Sequence, residues 1–129
     1  MKNRDIYALS LAMIAENGDR YENGDYEERA GYLIAAFCSE AEEINRRYCE
    51  GKGKPCTEIE IPIYLSLDED FPLKDRFASA AGAYLGAMLI LDEDPDLSDV
   101  LFTRYCDMIA AICEEIPMRS YSIADRYGI

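Results

Sequence analysis

Histidine and tryptophan are absent from this 129-residue chain, and cations are scarce: 13 basic residues stand against 26 acidic ones, a formal net charge of −13. Without histidine the usual Cys–His and Ser–His nucleophile pairs cannot be assembled. The Glu-x-x-His motif of di-iron bundles is excluded as well, although Glu40, Glu43, Glu114 and Glu115 supply carboxylates. The shortage of cations opposes binding to a phosphate backbone, whose affinity comes largely from Lys and Arg displacing counterions. The basic groupings Arg46-Arg47 and Lys52/Lys54 lie beside Glu42, Glu43 and Glu50. Sequence-specific DNA readout is therefore not expected.

A long apolar run is also missing. The longest uncharged stretch, from Phe77 to Leu91, contains Ser79, Gly82 and Gly86 and falls short of the roughly 20 helical residues that cross a bilayer. At the amino end, Met1-Lys2-Asn3-Arg4-Asp5 leads into an apolar stretch, but Glu16 and Asn17 follow without a small-residue cleavage site, so an unexported, cytoplasmic product is expected. The five cysteines, at 38, 49, 56, 106 and 113, are odd in number and include no Cys-x-x-Cys pair. Neither a disulfide framework nor a zinc site follows, and reduced, mostly buried thiols are expected. Cys106 and Cys113 are placed on one helix face with Tyr105, Ile109 and Ile112, where a free thiol acts as a small hydrophobe.

What is present is a folding composition. Half of the residues are hydrophobic and 30% are charged, enough apolar surface to offset the ordering of the backbone. The length suits one domain with one core. Ile6, Leu9, Met13 and Ile14 recur at helical spacing and predict a first helix from about Asn3 or Arg4 to Glu16, stopped by Asn17-Gly18. Tyr7, Ala8 and Leu11 widen its apolar stripe. A second helix is predicted over about Tyr26 to Glu50, where Ala30, Leu33, Ile34, Phe37, Cys38, Ala41, Ile44 and Tyr48 form a stripe. Asp25 with Glu28 offers a capping box, Gly51 a left-handed stop, and Glu28, Glu40, Glu42, Glu43, Asn45 and Arg46 a solvated face.

A third helix is expected from near Phe71-Pro72, with Asp70 as its cap, through Phe77, Ala81, Tyr84, Leu85, Met88 and Leu89. Within it Ala78, Gly82 and Gly86 repeat every four residues, a groove for close approach of a neighbouring helix of the same chain. A fourth helix begins with Asp96 and Asp99 as caps, buries Leu97, Val100, Leu101, Tyr105, Met108, Ile109 and Ile112, and stops at Pro117. Phe37, Leu85 and Ile109 are assigned to the core. The fold class is all-α: a bundle of about four principal helices, with an extended arm over residues 52–70 and a C-terminal tail over 117–129. The tail carries Arg119, Tyr121, Ile123, Arg126 and Tyr127, an aromatic content that suits docking.

Nothing along the chain carries catalytic chemistry. Asp92, Asp94 and Asp96 alternate like calcium-loop ligands, but Leu97 stands where the turn needs glycine and Thr103 where the twelfth ligand belongs. Gly51-Lys52-Gly53-Lys54 lacks the earlier glycine, the following Ser or Thr and the preceding strand of a phosphate loop. No Gly-x-Ser-x-Gly elbow occurs. The protein is read as a non-enzyme with no cofactor and no metal.

The order of motifs carries a resemblance. Asp5-Ile6-Tyr7 opens a short helix and Tyr26-x-x-Arg29-Ala30-x-x-Leu33 a long one. Tyr64-Leu65-Ser66-Leu67-Asp68 and Phe71-Pro72-Leu73 then precede Phe77-Ala78, and Phe102 and Tyr105 follow on the last helix. This succession resembles the small helical head-tail connector or tail-accessory proteins of tailed phages and prophages. The resemblance spans most of the chain through hydrophobic and turn positions, and it transfers no functional residue. It implies a ring beneath a portal, built from copies of the chain, through which DNA passes without specific contact; the location would be the bacterial cytoplasm or the virion. The same features also suit an acidic helical adaptor or regulatory protein of the bacterial cytoplasm that binds another protein without catalysis.

The arm is the candidate interaction site. Ile59, Ile61, Ile63, Leu65 and Leu67 alternate with Glu58, Glu60, Pro62, Tyr64, Ser66 and Asp68, the period of a half-buried strand. Pro62 cannot donate a ladder hydrogen bond and places the strand at an edge. A lone strand needs a partner, either residues 118–123 of the same chain or a neighbouring subunit in a homo-oligomer. The neighbour is favoured, because five aliphatic side chains on one face exceed what a soluble monomer leaves partly covered.

Overall fold

A computed structural model describes residues 1–14, 24–53 and 58–117. The fold is an all-α bundle of four principal helices: α1 (Asn3–Ile14), α2 (Gly24–Gly51), α3 (Ala78–Leu89) and α4 (Pro95–Glu114), with a short 3-10 turn at Asp75–Phe77. Among the described residues there is no strand, only an isolated antiparallel bridge between Lys2 and Asp70.

α3 is the hub. Its sequence, rich in Ala and Gly, gives it no polar face: Ala80, Ala81, Ala83, Leu85, Ala87 and Leu89 are all buried, and α1, α2 and α4 pack around it. The small residues at 82 and 86 admit their neighbours within the chain. A Cβ on Gly82 would fall 2.8 Å from Leu9 Cδ2 of α1, and one on Gly86 would fall 3.2 Å from Leu101 Cδ1 of α4. Phe37 sits at the centre, its ring against Phe71, Tyr84 and Tyr105 at centroid distances of 6.5, 5.9 and 6.0 Å. Leu85 is fully buried, whereas Ile109 is only half-buried at the edge of the core.

Several helix ends differ from the sequence expectation, each for a local reason. α3 starts at Ala78, not near Phe71-Pro72, because contacts elsewhere in the chain hold residues 71–74 outside a helix and only the 3-10 turn at Asp75–Phe77 leads into it. The Phe71 N–H donates to Met1 O at 2.8 Å, the Lys74 N–H donates to Asn45 Oδ1 at 2.9 Å, and Phe71 and Leu73 both point inward at two-residue spacing. Asp70 is paired with Lys2 at 2.9 Å and caps nothing. Asn45 is thus a buried hydrogen-bond acceptor and not part of a solvated face. α4 is capped by Asp94, whose Oδ1 accepts from the Leu97 N–H at 3.1 Å with Pro95 in the first turn; Asp96 lies inside the helix. α2 starts at Gly24, so Asp25 lies in its first turn and pairs with Arg29 at 3.0 Å. The left-handed residue after α2 is Gly53, at φ 75°, while Gly51 remains helical. The expected end of helix one at Glu16, the cysteine at 56 and the tail from Met118 onward lie outside the described residues.

Candidate functional site

The arm is extended but belongs to no sheet. It satisfies its backbone by capping helices instead. The first N–H groups of a helix have no partner within it. Here Asn3 N–H donates to Glu69 O and Arg4 N–H to Leu67 O, both at 2.9 Å, so arm carbonyls close the amino end of α1. The Asn3 side-chain amide adds a bond to Ser66 O at 2.9 Å. Further back, the Leu65 N–H donates to Gly31 O at 3.2 Å, and Ile59 N–H donates to Glu42 Oε1 at 3.2 Å. The docking explains a glycine in mid-helix: a Cβ on Gly31 would overlap the Tyr64 ring and fall 2.6 Å from Leu65 O.

This anchoring separates the five aliphatic side chains expected on one face. Leu65 and Leu67 are each 5% exposed and belong to this chain's own core. Ile59 and Ile61 are half-covered. Ile63 is 84% exposed, the most exposed large hydrophobic side chain among the described residues. The strict two-residue period fails at the Pro62–Tyr64 turn of the arm, where Tyr64 folds against Tyr32 of α2 at a centroid distance of 4.9 Å and Ile63 is left pointing outward. Pairing with residues 118–123 concerns a segment outside the described residues.

A second apolar surface lies on α4. Phe102 is 42% exposed, and Cys106 and Cys113, on the same side of the helix, are exposed as well. The expected burial of those two thiols is corrected: α4 rests on α3 through Leu101, Met108 and Ile112, which turns Cys106 and Cys113 toward solvent. The aromatic series Phe37, Tyr84, Tyr105 and Phe102 leads from the core to this surface, with centroid steps of 5.9, 5.2 and 5.4 Å. Burial, helped by the Glu40 carboxylate, raises the Tyr84 and Tyr105 phenols above their ordinary value and keeps them neutral. Tyr32 and Phe102 both lie off their helices' apolar stripes, and that pairing of a large aromatic side chain with an off-stripe position is the sequence signal that marks them as surface residues.

Cys38 is buried and its thiol is pushed up to about 12 by desolvation, the opposite of an activated nucleophile. Among the described residues no group of three potential metal ligands converges, and no helix is long and apolar enough to cross a membrane. Comparison with protein-family models, curated proteins and solved structures found no match.

Proposed function

We propose that this chain is a structural subunit of a tailed phage or prophage, a head-tail connector or adaptor that forms part of an oligomeric ring around the DNA channel. The observation that carries the reading is the arm: an extended segment fixed to the bundle at both ends that holds a bare Ile63 in solvent. Leu65 and Leu67 tie the segment to the core, whereas Ile63 adds nothing to it, and an aliphatic side chain held in solvent by a fixed backbone suits contact with another protein. The exposed face of α4 offers a second contact, toward a different component such as a portal. The net charge of −13 repels phosphate and lets DNA pass without adhering, and it keeps a free subunit soluble.

The test has a genetic and a physical arm. Genes for a portal and a capsid protein are expected beside the coding sequence. Mass photometry of the purified chain, alone and with that portal, is expected to show a defined multimer. A lone gene among metabolic neighbours, together with a chain that stays monomeric with every structural protein of its cluster, would refute the connector and favour the cytoplasmic adaptor.

A further inference from the structure

The exposed tip of the arm has no place on its own chain, and an open depression on the same molecule matches it. The depression has a volume of about 580 Å³ and lies between the carboxyl-terminal half of α2 and residues 71–76. Tyr48, Phe71 and Pro72 give it apolar walls, and Lys74 and Arg76 stand at its edge against the single acid Asp75. Lys52 lies 5.4 Å from the centroid of the Tyr48 ring and adds a further cation beside it. Arg76 is committed to Glu115, its Nε 2.8 Å from the carboxylate, whereas the Lys74 ammonium has no ion pair among the described residues. With Arg76 neutralised by Glu115, Lys74 is the cation of this lining that has no ion pair among the described residues.

The arm has the opposite charge. From residue 58 to residue 70 it contains Glu58, Glu60, Asp68, Glu69 and Asp70 and no base. Glu58 and Glu60 are exposed and precede the Ile63 tip. The depression already accepts one aliphatic residue of this arm, because Ile59 of the same chain lines it. Ile63 is not among its lining residues, and Leu65, two positions on, is held in the core with its N–H on Gly31. The tip is therefore fixed outside its own depression.

We infer that the depression walled by Tyr48, Phe71 and Pro72 and edged by Lys74 receives the Ile63 tip of a second copy, with Glu60 of that copy set against Lys74. Tip and depression are different surfaces, so each copy offers both halves of the contact; repeated head-to-tail with a rotation that closes, it builds a ring, whereas a mutual exchange between two copies stops at a dimer. This inference rests on the connector reading and names the contact that would build the ring.

Charge exchange tests it. Lys74→Glu leaves the backbone bond to Asn45 intact, and Glu60 is exposed, so circular dichroism should confirm that both variants fold. Lys74→Glu and Glu60→Lys are each expected to weaken self-association about tenfold, since like charges then face each other. The double variant Glu60→Lys/Lys74→Glu is expected to recover to within about threefold of the natural chain, and Ile63→Asp to abolish assembly in every background. Association is measured by sedimentation over a concentration series, alone and in the presence of the portal. Self-association that Ile63→Asp abolishes but charge reversal leaves unchanged would overturn the depression as receiver while leaving the connector reading standing. A chain that assembles in neither setting would overturn both.

Discussion

Gly31→Ala separates the local preference of α2 from its tertiary role. Alanine in a helix interior is about 1 kcal/mol better than glycine, so an isolated α2 would gain stability. In the folded chain the new Cβ would lie 2.6 Å from Leu65 O and overlap the Tyr64 ring, and Leu65 is itself fixed there by its N–H on Gly31 O and by burial of its side chain. Two responses are open. Compression costs about 1–3 kcal/mol, with a backbone atom at the upper end of that range. Release of the arm forfeits the burial of Leu65, about 1.5–3 kcal/mol, and its hydrogen bond to Gly31, about 1 kcal/mol. Either response outweighs the propensity gain and leaves a net loss of about 2 kcal/mol, or a fall in Tm of about 8 °C for a domain of this size. Gly82→Ala is the control, because its Cβ meets the movable side chain of half-buried Leu9 and the change should stay within about 1 kcal/mol. Urea denaturation measures both, and hydrogen exchange reports on the Leu65 amide. A Gly31→Ala protein as stable as the natural chain, with that amide still protected, would refute the docking of the arm on α2.

Truncation of the core should follow burial: Phe37→Ala and Leu85→Ala are expected to cost about 3–5 and 2–5 kcal/mol, and Ile109→Ala clearly less because Ile109 is half-exposed, all read from urea denaturation. In the native protein a thiol reagent should label Cys106 and Cys113 rapidly, and Cys38 and Cys49 only on unfolding, with peptide mass spectrometry assigning the sites. Glu115 is held below the ordinary glutamate value by its hydrogen bonds to Arg76, so the stability it contributes is present above pH 4.5 and lost as pH falls through the lower folded value. Glu115→Gln should therefore lower stability slightly at pH 7 and not at all in strong acid, as followed by thermal melts across that range; an equal loss at both pH values would sink the ion-pair explanation.

How much of this was legible depends on whether a feature is local. α1, α2 and α4 are readable because each carries a stripe at a spacing of three and four, and α3 because it is a long uncharged run rich in alanine; both are properties of the sequence itself. The ends were harder to place, since several acids compete for each cap. Asp94, Asp96 and Asp99 all suit an N-cap, and only the geometry after Ile90 selects Asp94. Phe71 and Leu73 read equally well as a helix start, and hydrogen bonds from Phe71 to Met1 and from Lys74 to Asn45, both remote in sequence, keep this stretch out of a helix. Gly31 was invisible for the same reason. Cys106 and Cys113 were misplaced because α4 rests mainly on α3 and leaves its other flank uncovered, which no pattern within α4 records.

The arm's value for binding comes from how it is anchored. A free extended segment loses about 1–2 kcal/mol of conformational entropy per residue when a partner orders it. Here that ordering accompanies folding. Leu65, Leu67, Phe71 and Leu73 are embedded in the core, and carbonyls on the arm complete the first turn of α1. The segment thus presents Ile63 in a fixed position, so a partner gains the burial of an aliphatic side chain without ordering a loop, the benefit of preorganisation. The same anchors also restrict what the arm can do. Its two innermost leucines cannot swing out to a neighbour without uncapping α1, so any intersubunit contact must use the outer segment from Glu58 to Tyr64. An interface of that length is small, and the closure of a ring, where every subunit contributes both a tip and a receiving surface, is the arrangement that lets small contacts hold an assembly together.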